Sequence, residues 1–213
     1  MIRAGGKGSE IAVSAIEKGV YILEALRQLE EQWGQSKKHP LFRPGHFTLH
    51  PGVITGGPYG VMIPFLISQF CTIEYAVWYP PQEREEDIKT EISEYVTKAC
   101  QLDPWLRDNP PEIKFNLHWP PAQISIEHPI VQTCAQAHRQ VISPRKVDDR
   151  ELFQGFCAVC DAAFLNMAGI PSVIYGPGSV LQAHAVDEYV HIEELITATK
   201  TFALAAMDWC GYQ

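Results

Sequence analysis

The chain has 213 residues, 46% of them hydrophobic and 20% charged, enough apolar material for one generous domain or two small ones. Its 17 basic residues against 25 acidic ones give a net charge of -8 with no clustered basic face, which argues against a nucleic-acid footprint. No apolar run reaches the ~18–20 residues of a membrane span, and the opening MIRAGGKGSE lacks the apolar core of a secretory leader, so the reading is cytoplasmic with no membrane partner.

The first helix is expected from a capping box. Ser14 accepts from the first turn while Glu17 reaches back. Ile16, Val20, Leu23, Leu26 and Leu29 then recur at helical spacing as one apolar face, with Gly34 as the stop. Two short strand pieces are expected at 46–50 and 53–55, separated by a Pro51-Gly52 turn. A long strand from Gln69 to Tyr79 follows, with Cys71, Ile73, Tyr75 and Val77 on its covered face. The acidic run EREED opens a second helix, where negative charge suits the helix dipole, and Ile88, Ile92, Tyr95, Val96 and Ala99 line its buried side. Ile113, Phe115, Leu117 and Trp119 alternate as a further strand. This order reads as a ferredoxin-like α+β unit over residues 1–119 with its first strand missing.

WPPAQ reads as a linker. Over residues 120–213 the pattern becomes α/β: helices near 129–141 and 161–168, the second closed by Gly169, a buried strand at 172–175, the Gly176-Pro177-Gly178 turn, and a last helix over 192–209. Glycines let consecutive backbone N–H groups approach an anion, so the turn is a candidate binding element.

The remaining motifs are mostly bland. GGKGS at 5–9 is no phosphate loop, because Lys7 is followed by Gly8 and no strand precedes it. Glu-Glu at 30–31 and 85–86 reads as solvated helix faces. The six cysteines, including the Cys157-x-x-Cys160 pair, read as free, buried small hydrophobes, since a zinc ribbon needs a second pair. His184, followed by Asp187 and Glu188, looks like one corner of a metal site or an anion-binding site. The other histidines form no HExxH, HxH or HxD.

Taken together, Cys160-Asp161-Ala162, Gly169-Ile170-Pro171, Gly176-Pro177-Gly178 and Ala183-His184-Ala185-Val186-Asp187-Glu188 resemble the closing pattern of a zinc metallopeptidase family. That family includes acetylornithine deacetylase, succinyl-diaminopimelate desuccinylase, aminoacylase and glutamate carboxypeptidase. SAIEKGVYILEALRQLE and CTIEYAVWYPPQEREEDIKTEI resemble the helices and central strand of its lid, or dimerisation, domain. Cys160 stands where Ser or Thr is usual, and Val61-Met62-Ile63-Pro64 departs from the Asn-Val-Ile-Pro of many members.

The resemblance implies a truncated lid and dimerisation domain over residues 1–119 and the C-terminal portion of an α/β zinc-peptidase catalytic domain over residues 120–213. It implies hydrolysis of the amide of an N-acyl amino acid or small peptide. Two zinc ions are implied, with cobalt or manganese as substitutes, and a homodimer formed through the lid. His184 is implied as a metal ligand, Asp187 and Glu188 as groups that orient it, and Gly176 and Gly178 as substrate-binding. The other ligands and the general base are expected upstream, so this chain reads as a C-terminal fragment. The alternative is a non-catalytic dimerisation scaffold with no complete metal site and no turnover of its own.

Overall fold

A computed structural model of the chain describes residues 2–3, 12–60, 63–143, 145, 147–148 and 152–211. The GGKGS glycine loop and Val61-Met62 lie outside the described residues, the final Ser9 of that loop included. The chain is mixed α/β and divides into two compact units, Met1–His118 and Trp119–Gln213.

The first unit carries a three-stranded antiparallel sheet in the order β1-β3-β2, with β1 Ile2–Arg3, β2 Leu49–Gly57 and β3 Phe70–Val77. The expectation of a missing first strand is corrected: Ile2 pairs with Cys71 and Arg3 with Phe70. Two residues suffice there because β3 is the central strand and its second edge takes any backbone that reaches it. Helices α1 (Ala15–Ser36) and α2 (Glu85–Gln101) complete the unit.

Ser14 caps α1 by accepting from the Glu17 N–H at 3.4 Å. The buried face of α1 is Ala15, Gly19, Ile22, Ala25, Leu26, Leu29 and Trp33. It is therefore rotated from the expected one: Leu26 and Leu29 are inside, whereas Ile16 and Val20 are 41% and 52% exposed. Gly34 does not end the helix, which runs on to Ser36 and closes with the Lys37 N–H on the Trp33 carbonyl. The burial of Trp33 holds the last turn against a glycine penalty of only ~1 kcal/mol. The Trp33 indole N–H donates to Glu91 at 2.8 Å, and Lys37 lies over the Trp33 ring while pairing with Glu83 and Glu91 at 2.5 and 2.9 Å.

Residues 49–57 form one strand rather than two pieces. Pro51-Gly52 is not a turn but the site of a register irregularity, where Pro51 faces Tyr75 and Val53 faces Glu74. Proline is tolerated because β2 is an edge strand and a bulge needs no ladder donor. The β3 alternation is as expected: Cys71 is buried, and Ile73, Tyr75 and Val77 pack against the cluster of Ile22, Leu26, Leu29, Trp33, Leu49, Ile88, Ile92 and Val96. Burial, with Glu30 nearby, pushes the Tyr75 phenol up to about 12.

Close packing of α1 on β3 makes two glycines of one helix behave oppositely. A Cβ on Gly19 would sit 2.3 Å from Cys71 Sγ, whereas one on Gly34 meets nothing within 4 Å. Gly19→Ala is expected to destabilise by ~1–3 kcal/mol through overpacking. Gly34→Ala is expected to stabilise by ~0.5–1 kcal/mol through reduced unfolded-state freedom. Urea titration of both variants beside the parent checks the opposed signs.

The alternating residues 113–119 are not the expected strand, and all seven are exposed rather than covered on one face. Alternation sets a face, but a ladder also needs a partner edge, and no described strand pairs with this segment. Side chains secure it instead. The Tyr79 hydroxyl meets His118 Nε2 at 2.8 Å, His118 Nδ1 meets Glu85 at 2.9 Å, and Lys89 lies over the Phe115 ring. The acidic pairs are accordingly less free than expected. Glu85 also binds Lys89 at 2.5 Å, Glu30 accepts from the Thr48 hydroxyl, and Glu31 pairs with Arg27.

The second unit contains α3 (Pro129–Ile142), α4 (Ala162–Met167) and α5 (Ile192–Cys210). His128 caps α3 by accepting from the Ile130 N–H, with Pro129 at the first helical position. Helices α3 and α5 pack together, and small residues, Ala135 and Ala137 on one and Ala198, Thr201 and Ala205 on the other, make up most of what they bury. The expected buried strand at 172–175 is not one, and Ile174 is 45% exposed. A buried strand needs ladder neighbours, and this unit has no strand among its described residues. Cys71 and Cys100 are buried as expected, but Cys157 and Cys210 are exposed, which corrects the reading of all six as core residues.

Candidate functional site

Residues 175–194 pass from the end of the 172–175 segment into the first turn of α5. Tyr175 is held from two helices: its hydroxyl lies 2.8 Å from His138 Nδ1 on α3, and its ring meets Phe202 of α5 edge-on at 5.3 Å. Burial raises the Tyr175 phenol above its ordinary range. Burial first, and Arg145 second, lower the His138 imidazole below its own. A neutral imidazole and an un-ionised phenol make a bond that needs no counter-charge, so the residue just before the glycine turn is firmly anchored.

Gly176 and Gly178 are exposed, and Gly178 adopts φ +88, a conformation that favours glycine. Its N–H donates to Glu194 Oε2 at 3.0 Å. The turn therefore holds a carboxylate, but one that belongs to this chain. Ser179 then caps a short 3-10 turn, Val180–Gln182, by accepting from the Leu181 N–H.

His184 follows. The Ala185 N–H donates to the Gln182 carbonyl at 3.0 Å, Ala183 has φ -59 and ψ 129, and His184 has φ +65. These values describe a type II β-turn with histidine at the position that normally takes glycine. His184 is the one non-glycine residue with positive φ among the described residues. Such a placement costs on the order of 1 kcal/mol, and strain of this kind concentrates where a side chain is needed for more than stability.

The His184 ring, Asp187 and Glu188 are all exposed. Among the described residues no three His, Cys, Asp or Glu side chains converge closely enough to hold a metal ion. His184 thus stands as a single imidazole donor, and Asp187 and Glu188 are its neighbours in sequence. Two participants escaped the sequence reading. The sequence motifs single out neither Glu194 nor His138. Only the path of the chain joins them to the turn.

The model of the peptidase family M20/M25/M40 matches residues 15–208. The chain belongs to this family. It is similar to two N-formyl-4-amino-5-aminomethyl-2-methylpyrimidine deformylases. With that of Bacillus subtilis strain 168 it shares 34% identity over 220 residues, 99% of this chain and 49% of that protein. With that of Halalkalibacterium halodurans it shares 31% over 219 residues, again 99% and 49%. A LysW-lysine/LysW-ornithine hydrolase of Saccharolobus solfataricus is 26% identical over 156 residues, 73% of this chain and 38% of that protein. The chain thus spans about half the length of the two deformylases it matches. No described helix is long and apolar enough to cross a membrane.

Proposed function

We propose that the protein to which this chain contributes is an amide hydrolase that removes a small acyl group, formyl above all, from an amine carried on a heteroaromatic ring. The observation that carries this reading is the similarity of 99% of the chain to two deformylases. The same similarity favours a ring-borne formamide over the N-acyl amino acid or small peptide that the broader family resemblance suggests.

In this reading residues 1–119 are a ferredoxin-like lid and residues 120–213 the C-terminal part of the catalytic domain. The split βαβ arrangement, with β3 between β1 and β2, supports the first assignment. The metal is zinc, with cobalt or manganese as substitutes. The described residues do not by themselves fit such an ion, because one imidazole cannot replace the three or four protein ligands of a zinc site. His184 is proposed as one donor, and Asp187 or Glu188 as the group that orients it. The remaining donors and the general base are assigned to sequence outside this chain. The turn at Gly176 and Gly178 lies on the substrate side. Six free thiols suit a reducing, cytoplasmic setting.

A second reading, the chain as a non-catalytic dimerisation module, draws on a different observation. Ile16 and Val20 on α1, and Val53 and Ile54 on the edge strand β2, are each about half exposed. Ile16 also lies 2.9 Å from where a Cβ on Gly56 of β2 would stand, and Ile54, two residues earlier, is on the same side of the sheet, so helix and strand share an apolar face there, with Val53 on the opposite side. Homodimerisation through that face is compatible with either reading.

One experiment separates them. The intact protein and the 213-residue chain are assayed for formate release from an N-formyl aminopyrimidine, with and without added zinc, while their masses are followed by sedimentation. Zinc-dependent release by the intact protein supports the hydrolase. Dimers of both with no cleavage of any amide, N-acetyl amino acids included, would replace it with the scaffold.

A further inference from the structure

The glycine turn is not an open anion cradle. Glu194 Oε2 accepts from the Gly178 N–H at 3.0 Å, and a Cβ on Gly178 would lie 3.6 Å from Val190 Cγ2. Glu194 therefore occupies the Gly178 N–H, and Val190 lies beside the turn, whose glycines stay exposed. Tyr175, just before the turn, is fixed by His138 and by Phe202, and Phe202 lies on the same helix as Glu194. Turn and carboxylate are tied to one rigid element.

We infer that Glu194 sets the ligand class of this turn: it selects a hydrogen-donating amine and rejects a carboxylate. A backbone N–H has one hydrogen, and here it is used. A carboxylate has about four acceptor sites, of which the Gly178 N–H takes one. At Gly178, then, the turn presents acceptor capacity and negative charge. An incoming carboxylate would have to displace Glu194 or sit against its like charge, whereas an aminopyrimidine brings the exocyclic N–H donors that carboxylates accept from, as they do from the amino group of cytosine. Neither the sequence motif nor the names of the relatives assigns a residue to this role. The inference rests on the amide-hydrolase reading only for where substrate lies.

The test uses the intact protein, with Glu194→Gln to remove the charge at constant size and Glu194→Asp to keep the charge but withdraw it. The probes are 4-amino-5-aminomethyl-2-methylpyrimidine and N-acetylglycine, with binding followed by calorimetry and hydrolysis assayed on the N-formyl form and on N-acetylglycine. The parent is expected to prefer the aminopyrimidine. In Glu194→Gln that preference should fall by about 10- to 100-fold, the effect of one hydrogen bond to a charged group. Glu194→Asp should retain the preference with weaker affinity, and it carries the test if Glu194→Gln fails to fold by circular dichroism. An unchanged preference in a folded Glu194→Gln, or a parent that prefers N-acetylglycine, overturns the inference. Glu194-dependent amine binding with no hydrolysis of either compound supports it and removes the hydrolase reading instead. Hydrolysis with a preference indifferent to Glu194 does the reverse.

Discussion

His184→Gly is expected to make the protein slightly more stable and far less active. The histidine occupies φ +65 at the third position of the Gln182–Ala185 turn, where glycine carries no steric penalty. Relief of that strain is expected to return about 1 kcal/mol. If His184 donates to the metal, its loss should cost more than the 10- to 100-fold typical of groups that merely orient a ligand, so kcat/KM should fall by at least ~100-fold. His184→Asn is the companion variant. Asparagine tolerates the left-handed conformation better than most residues, so it tests the imidazole with little change in the turn. Thermal melts, kcat/KM and bound metal after dialysis are measured on the intact protein. Unchanged metal content and rate in both variants would remove His184 from the site, and its strain would then be without a functional reason.

The largest stability effect is expected from Trp33→Ala, at ~3–5 kcal/mol. Trp33 is fully buried at the end of α1, beside Leu29, Ile88 and Ile92 in one core cluster. Its removal opens a large cavity and strips the indole N–H from Glu91 and the ring from beneath Lys37. Lys37 is itself buried and keeps Glu83 and Glu91, so its charge stays paired and the cost is mainly packing. Trp33→Phe should recover most of the loss, leaving ~1 kcal/mol for the missing hydrogen bond. Because the chain has two units and need not unfold in one step, native-state hydrogen exchange at the β3 amides, Cys71 and Ile73, is the readout. Protection there that survives Trp33→Ala would show that the sheet does not depend on this contact.

Much of the local structure was legible in the sequence because its causes are local. Ser14 and Glu17 mark the start of α1, Pro129 the start of α3, and Gly169, at φ +77, the end of α4. The period-2 pattern of 71–77 holds because that strand has partners on both edges and a core on one face. The A-H-x-x-D-E and Gly-Pro-Gly motifs marked the family and the segment that carries the candidate site, since both depend on residue type at short spacing.

What failed did so wherever a partner decides the outcome. The alternating residues 113–119 and the apolar run 172–175 have strand patterns, but a strand exists only in a ladder, and neither has one among the described residues. Pro51-Gly52 has turn chemistry and became an edge irregularity because β3 continues past it. The α1 face rotated because β3 approaches so closely at Gly19 that only a residue without a side chain fits. The contact between Glu194 and Gly178 joins residues sixteen apart, and that between His138 and Tyr175 joins residues thirty-seven apart. Sequence by itself therefore determined the helices, the family and the position of His184, each fixed by spacing within a few residues. Tertiary structure alone decided which face is buried, which strands exist and that the glycine turn already carries a carboxylate, since those depend on groups that meet only when the chain has folded.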